Sequence, residues 1–100
     1  MLEKTVEQKL IKGVRKMGGE AFKFVSPGND GVPDRLVLLP GGKIYFVELK
    51  TERGQLRPTQ KVQLVRLSAL GQQVYVLHGA AEVESWLDQI AIENCIGEGL

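Results

Sequence analysis

A chain of 100 residues, 43% apolar and 25% charged, has the size and composition of one globular domain with a packed core, which excludes disordered, collagen-like and multidomain organisation. No run approaches the roughly 18 to 20 uncharged apolar residues of a membrane span, and Glu3 and Lys4 stand where a signal peptide needs its apolar region, so the expected setting is cytoplasmic, with no membrane partner. The net charge is +1, yet the first seventy residues carry all 13 Lys and Arg with 7 of the 12 acids, and the last thirty carry the other 5 acids and no base.

A basic segment of that kind suits a phosphate-bearing partner, although solvated lysines produce the same bias. The single cysteine, Cys95, allows no internal disulfide, and no Cys/His grouping has zinc-ligand spacing, so the fold rests on packing alone.

Thr5-Val6-Glu7-Gln8 fits a capping box and predicts the start of a helix. Val6, Leu10, Val14 and Met17 then recur at helical spacing, Lys9, Lys12, Arg15 and Lys16 take the other side, and Gly18-Gly19 ends the run. At about 100° per residue Glu7 falls between Val14 and Ile11, so that an acid faces the core from within the apolar stripe. Glu20 to Val25 reads as a first strand. The turn formers from Ser26 to Pro33 make a loop between it and a second strand over Arg35 to Leu39. A third strand follows over Ile44 to Leu49, and the nearly continuous apolar runs of these two strands predict cover on both faces. Pro58 opens a second helix running to about Leu70 and ended by Gly71, Val74 to Leu77 forms a fourth strand, and a last helix places Val83, Trp86, Leu87 and Ile90 on one face. Residues 93–100 read as a loose tail. The whole, 1–100, is one α/β domain in the order α-β-β-β-α-β-α.

The turn between the second and third strands decides what those strands can do together. A two-residue Gly41-Gly42 turn would pair Pro40 with Lys43 and put Asp34 and Glu48 on opposite faces of the sheet. A three-residue Pro40-Gly41-Gly42 loop pairs Leu39 with Lys43 and puts both acids on one face, with a type I turn at Pro40 and a left-handed Gly42. The second register is the predicted one.

Glu48 and Lys50 share a face, because side chains alternate along a strand, and charges at the end of a buried strand are costly unless paired or bound. Each candidate has a structural explanation by itself. Glu7 favours a helix dipole, Asp34 starts a strand after Pro33, and Glu48 with Lys50 makes an edge ion pair. Converging carboxylates without His or Cys instead suit a hard, oxygen-seeking cation such as Mg²⁺ or Mn²⁺. Bound by Asp34 and Glu48 with the Leu49 carbonyl, that cation implies metal-assisted phosphodiester hydrolysis, with Lys50 orienting the water or offsetting its charge. Gln60 shares a helical stripe with Leu64 and Leu67, which turns its amide inward near the strand ends. Arg35, Arg53, Arg57 and Lys61 flank the site as candidate phosphate grips, solvated charge being the other reading, and Lys23 is open between the same two. His78 reads as a surface or loop residue, and Trp86, Phe22, Phe24 and Phe46 as core.

Pro33-Asp34, the gap and Glu48-Leu49-Lys50 resemble the PD-(D/E)XK nuclease signature, and Gly31-Val32-Pro33-Asp34-Arg35, Glu7 on a preceding helix and Gln60 after the lysine resemble its VRR-NUC branch. The likeness runs over roughly residues 5 to 78, with no motif position departing from the pattern. It implies a restriction-endonuclease-like core, a central mixed four-stranded sheet flanked by helices. It also implies metal-site acids Glu7, Asp34 and Glu48, a catalytic Lys50 and a polar helix residue Gln60. The family's small standalone members, of phage and bacterial type, resemble Holliday junction resolvases, which implies a homodimer acting on branched or four-way-junction DNA. The leading expectation is therefore an Mg²⁺- or Mn²⁺-dependent DNA endonuclease. The competing ones are a noncatalytic DNA-binding or assembly module of the same fold, and a protein-interaction domain using the acidic last helix.

Overall fold

The computed structural model describes the backbone of residues 4–99 and the side chains of residues 4–94. The elements follow the expected order: α1 (Lys4–Lys16), β1 (Glu20–Lys23), β2 (Arg35–Leu39), β3 (Lys43–Lys50), α2 (Pro58–Ala69), β4 (Gln73–His78) and α3 (Gly79–Gly99). β1 stops at Lys23, two residues short of the expected Val25, β3 and β4 each run one residue further at both ends, and two helix boundaries differ as well. α1 begins at Lys4, which places Thr5 inside its first turn instead of at the cap. α3 continues as helix through Gly99, over most of the stretch read as a loose tail, and the side chains of 95–100 lie outside the described residues.

One mixed sheet, in the order β1-β2-β3-β4, organises the molecule. β1, β2 and β3 are antiparallel neighbours, and β4 runs parallel to β3, a connection that needs a crossover, which α2 provides. Leu39 pairs with Lys43, and Arg35 with Val47, which is the three-residue-loop register. The turn itself differs from expectation. Gly41 has φ 86° and Gly42 φ 76°, whereas a type I turn holds the residue after Pro40 near φ −90°; two adjacent glycines admit the left-handed conformation at both positions.

The core lies on one face of the sheet. Ala21, Val37, Leu39, Tyr45, Val47, Leu49 and Leu77 meet Val6, Leu10 and Val14 of α1 and Val83, Trp86 and Ile90 of α3. Tyr45, Tyr75 and Trp86 form an aromatic cluster there, with Tyr45 and Trp86 edge to face at 5.6 Å between ring centres. The other face carries Phe22, Leu36, Leu38, Ile44, Phe46, Val74 and Val76, and none of these belongs to the core cluster. The expectation that β2 and β3 are covered on both faces therefore fails within the chain. Phe22, expected in the core, is 51% exposed, and Phe24 packs edge to face on Phe46 at 5.7 Å on the open side. Trp86 does lie in the core.

Candidate active site

Asp34 stands one residue before β2, directly opposite Glu48 in the hairpin register, so both carboxylates rise from the open face of the sheet. Each carboxylate accepts a backbone N–H from across the hairpin. The Asp34 N–H donates to Glu48 Oε1 at 3.2 Å, and the Leu49 N–H donates to Asp34 Oδ2 at 3.2 Å. Leu49 thus enters the site through its amide. Lys50, two residues beyond Glu48 on the same face, brings its Nζ to 3.5 Å from Glu48 Oε2.

α2 completes the arrangement from above the sheet. Gln60, in its first turn and buried, accepts the Arg57 N–H on Oε1 at 2.8 Å and donates from Nε2 to Glu48 Oε2 at 3.0 Å. The backbone donor determines which end of the amide is which, so the NH₂ group necessarily faces the carboxylate. Gln60 is the inward-turned residue that helical spacing predicts. The loop before Asp34 is seated on the same helix end: Gln63 donates to the Asp30 carbonyl at 3.1 Å, Pro33 is fully buried, and Gly31 has φ 91°. A Cβ on Gly31 would sit 2.6 Å from the Thr59 carbonyl carbon and oxygen, so only glycine allows the loop this close to α2.

Glu48 is 3% exposed. Burial pushes its carboxyl above the usual carboxylate range, and the neighbouring Asp34 charge pushes it further, against the opposing pull of Lys50 and the hydrogen bonds it accepts. Two oxygen-donor carboxylates whose mutual repulsion one cation would relieve are a fit for a hard divalent ion. Among the described residues no three His, Cys, Asp or Glu side chains converge as a metal cluster. Asp34 and Glu48 come together. Glu7 lines the same cleft with its carboxylate 4.0 Å from Arg35 Nη2, and is 40% exposed as a side chain, not turned into the core.

The cleft has a volume of about 500 Å³ and is lined by Glu7, Asp34, Arg35, Glu48, Leu49, Lys50, Arg57 and Gln60, together with Lys23, Thr51, Gly54 and Gln55. Thr51 and Gln55 are absent from the sequence expectations; the one signal for them is their position just after the strand that ends in Lys50. Arg53 and Lys61 are exposed and do not line it. Arg57 lines it and lies 3.8 Å from Asp30. Arg35, expected to grip phosphate, is turned inward: Nη1 donates to the Ala21 carbonyl at 3.2 Å and its side chain is 14% exposed. His78, at the end of β4, places Nδ1 3.1 Å from the Thr51 carbonyl. A larger groove of about 870 Å³ runs between α1 and α3, but its lysines and two acids converge on no common point of chemistry, so volume does not mark the site.

No family model matches the chain. Among curated proteins it is 56% identical over 75 residues to "Putative nuclease p44" of Acyrthosiphon pisum secondary endosymbiont phage 1, covering 75% of this chain and 81% of that protein. Among solved structures it is similar to a VRR_NUC domain, with a TM-score of 0.79 and 30% identity over 84% of this chain and 91% of the other. A second, a VRR_NUC domain protein, shares the fold at a TM-score of 0.59 and 20% identity, covering 89% of each chain. Among the described residues no helix is long and apolar enough to cross a membrane.

Proposed function

The chain belongs to the VRR-NUC family of PD-(D/E)XK nucleases, and from that premise we propose that it is a divalent-cation-dependent DNA endonuclease acting on branched DNA, in the manner of a Holliday junction resolvase. One observation carries the reading: Asp34, just before β2, and Glu48 of β3 meet beside Lys50 and Gln60 in one cleft. A module that only binds DNA gains nothing from paired carboxylates that repel phosphate.

Asp34 and Glu48 would hold Mg²⁺ or Mn²⁺, with the Leu49 carbonyl and Glu7, whose residues line the same cleft, as further oxygen donors. When bound, such an ion supplies an acidified water and shields charge on the phosphate oxygens. Gln60 holds the Glu48 carboxylate in one rotamer, and its NH₂ donor favours the charged form of that carboxyl. Lys50 holds a positive charge 3.5 Å from Glu48, where it orients the attacking water and offsets negative charge as the new P–O bond forms and the old one breaks. Glu7 and Arg35 brace one another at the rim, so Arg35 acts on the site through position. A branched junction offers two related strands and one chain offers one set of acids, so a homodimer is the proposed working unit.

The deciding experiment incubates labelled four-way junction, flap and linear duplex with wild type and Glu48→Ala in Mg²⁺, Mn²⁺ or EDTA. Metal-dependent cutting of the junction by wild type alone is expected, with Glu48→Ala still binding it. Equal cleavage by a folded Glu48→Ala protein would end the assignment to this site, and binding without cleavage by wild type in either metal would favour the noncatalytic module.

A further inference from the structure

Four cations line the cleft, and three of them are already matched with acids: Lys50 lies 3.5 Å from Glu48, Arg35 4.0 Å from Glu7 and Arg57 3.8 Å from Asp30. A phosphate that approaches any of these competes with a carboxylate in place. Lys23 is the exception, exposed and, among the described residues, engaged in no ion pair and no hydrogen bond. Its place follows from the sheet. Lys23 ends β1 opposite Arg35, and the next residue, Phe24, donates its N–H to the Asp34 carbonyl at 2.8 Å while its ring packs on Phe46. The backbone that carries Lys23 is thus tied to the segment that carries Asp34, about 4.8 Å away across the strand gap, a distance that a four-carbon lysine stem spans. By strand parity Lys23 shares the face of Arg35 and Val47, toward α1, whereas Asp34 and Glu48 rise from the other face. The cleft wraps the end of the sheet between them.

We propose that Lys23 grips a phosphate next to the one that is cut, on the α1 side of the sheet end. The proposal rests on the nuclease reading of the preceding section and extends it from the acids to the path of the DNA strand. A strand whose scissile phosphate lies over Asp34 and Glu48 continues around the end of the sheet, and the uncommitted positive charge it meets on the α1 side is Lys23. Arg35, the register partner of Lys23, is committed to the Ala21 carbonyl and to Glu7, which leaves Lys23 as the cation of that row able to turn to DNA. The residue type suits the task. A lysine ammonium is a point charge on a flexible stem that follows a phosphate without demanding bidentate geometry, and a backbone phosphate carries no base identity, so the contact fixes position without selecting sequence. Lys23 touches no reacting atom in this arrangement. It therefore acts on affinity and placement, in contrast with Lys50.

The test separates binding from cutting. Wild type, Lys23→Ala and Lys23→Gln, each folded by circular dichroism, are titrated onto a labelled four-way junction in EDTA at several salt concentrations. Loss of one phosphate contact should weaken binding on the order of 10-fold and make the slope of log K against log salt shallower by about 0.9 in both variants. Lys23→Arg should restore the affinity, and Lys43→Ala, which removes an exposed lysine at the hairpin end of the sheet, should leave the slope unchanged. Junctions carrying a single uncharged methylphosphonate locate the contact: neutralising the gripped phosphate, a neighbour of the cut one, should weaken wild type and leave Lys23→Ala unaffected. In Mg²⁺ or Mn²⁺, single-turnover cleavage by Lys23→Ala at saturating protein should fall far less than its affinity. An unchanged slope in both Lys23 variants would overturn the proposal and return Lys23 to a solvated edge-strand lysine. So would an equal change in Lys43→Ala, the absence of any methylphosphonate position whose effect depends on Lys23, or a saturating rate that falls as far as the affinity. Any of these beside metal-dependent cutting keeps the nuclease and removes the grip. Lys23-dependent binding by a wild type that cuts nothing in either metal removes the nuclease and leaves the phosphate contact, and a wild type that binds no junction overturns both.

Discussion

Gln60→Met is the sharpest perturbation of the site, because it keeps the buried volume and removes both hydrogen bonds of the amide. The bond to Glu48 at 3.0 Å reaches a charged acceptor and contributes about 1.5–3 kcal/mol, and the 2.8 Å bond from the Arg57 N–H contributes about 0.5–1.5 kcal/mol. Removing both should cost the metal-free protein on the order of 2–4 kcal/mol. For a domain of this size each kcal/mol lowers Tm by roughly 4–8 °C, so a fall of at least about 8 °C is expected in a thermal melt. The second effect is chemical. Glu48 is already above the usual carboxylate range through burial and the Asp34 charge, and losing a donor to its ionised form moves it higher still. Since the ionised form is the one that serves cleavage, the rising limb of the pH–rate profile should move to higher pH, and raising the pH should restore part of the rate. Gln60→Glu, which adds a like charge, should move the limb further. An unchanged melt together with an unmoved limb in Gln60→Met would refute this account of the residue.

Lys50→Ala should lower single-turnover cleavage on the order of 10²- to 10³-fold with a smaller loss of junction affinity, read by gel-shift beside the rate; equal losses in both would make Lys50 a phosphate grip only. Gly31→Ala forces a Cβ to 2.6 Å from the Thr59 backbone at φ 91° and should destabilise by about 2 kcal/mol or more, checked by denaturant titration; a neutral result would mean the loop stands off α2. Because Glu48 is raised in the folded state, folding takes up protons: its contribution is best below the ordinary carboxylate pKa and is lost as pH rises through the folded value. The Tm of metal-free wild type should therefore fall relative to Glu48→Gln from about pH 4 to pH 7, and Mg²⁺ should raise the wild-type Tm more at pH 7 than at pH 5. A metal effect independent of pH, or one equally large in Glu48→Gln, would count against this site as the cation's.

What was legible in the sequence follows from short periods. A strand alternates with period two, so a charged residue at each end of the hairpin leaves one parity of turn that brings Asp34 and Glu48 to the same face, and the register is that one. Helical spacing likewise turned Gln60 inward with Leu64 and Leu67. Long-range approaches leave no such trace. Nothing local in Gly31 tells that its α-carbon meets the Thr59 backbone, and nothing in Arg35 tells that its guanidinium folds onto the Ala21 carbonyl instead of reaching for phosphate. The turn type was missed for a third reason, since Gly41-Gly42 has no side chain to select among turn conformations.

The open face is the instructive failure. An apolar run such as Leu36 to Leu39 has no alternation to mark one face for water, so it predicts cover on both. Phe22, read as core from its residue type, is likewise left 51% exposed. α2 also leaves apolar side chains in water, Val62 at 56% and Val65 at 68% exposure on the side away from Gln60. An apolar run therefore tells that neither face of a strand is marked for water, and only the packing of the whole chain tells which face is covered.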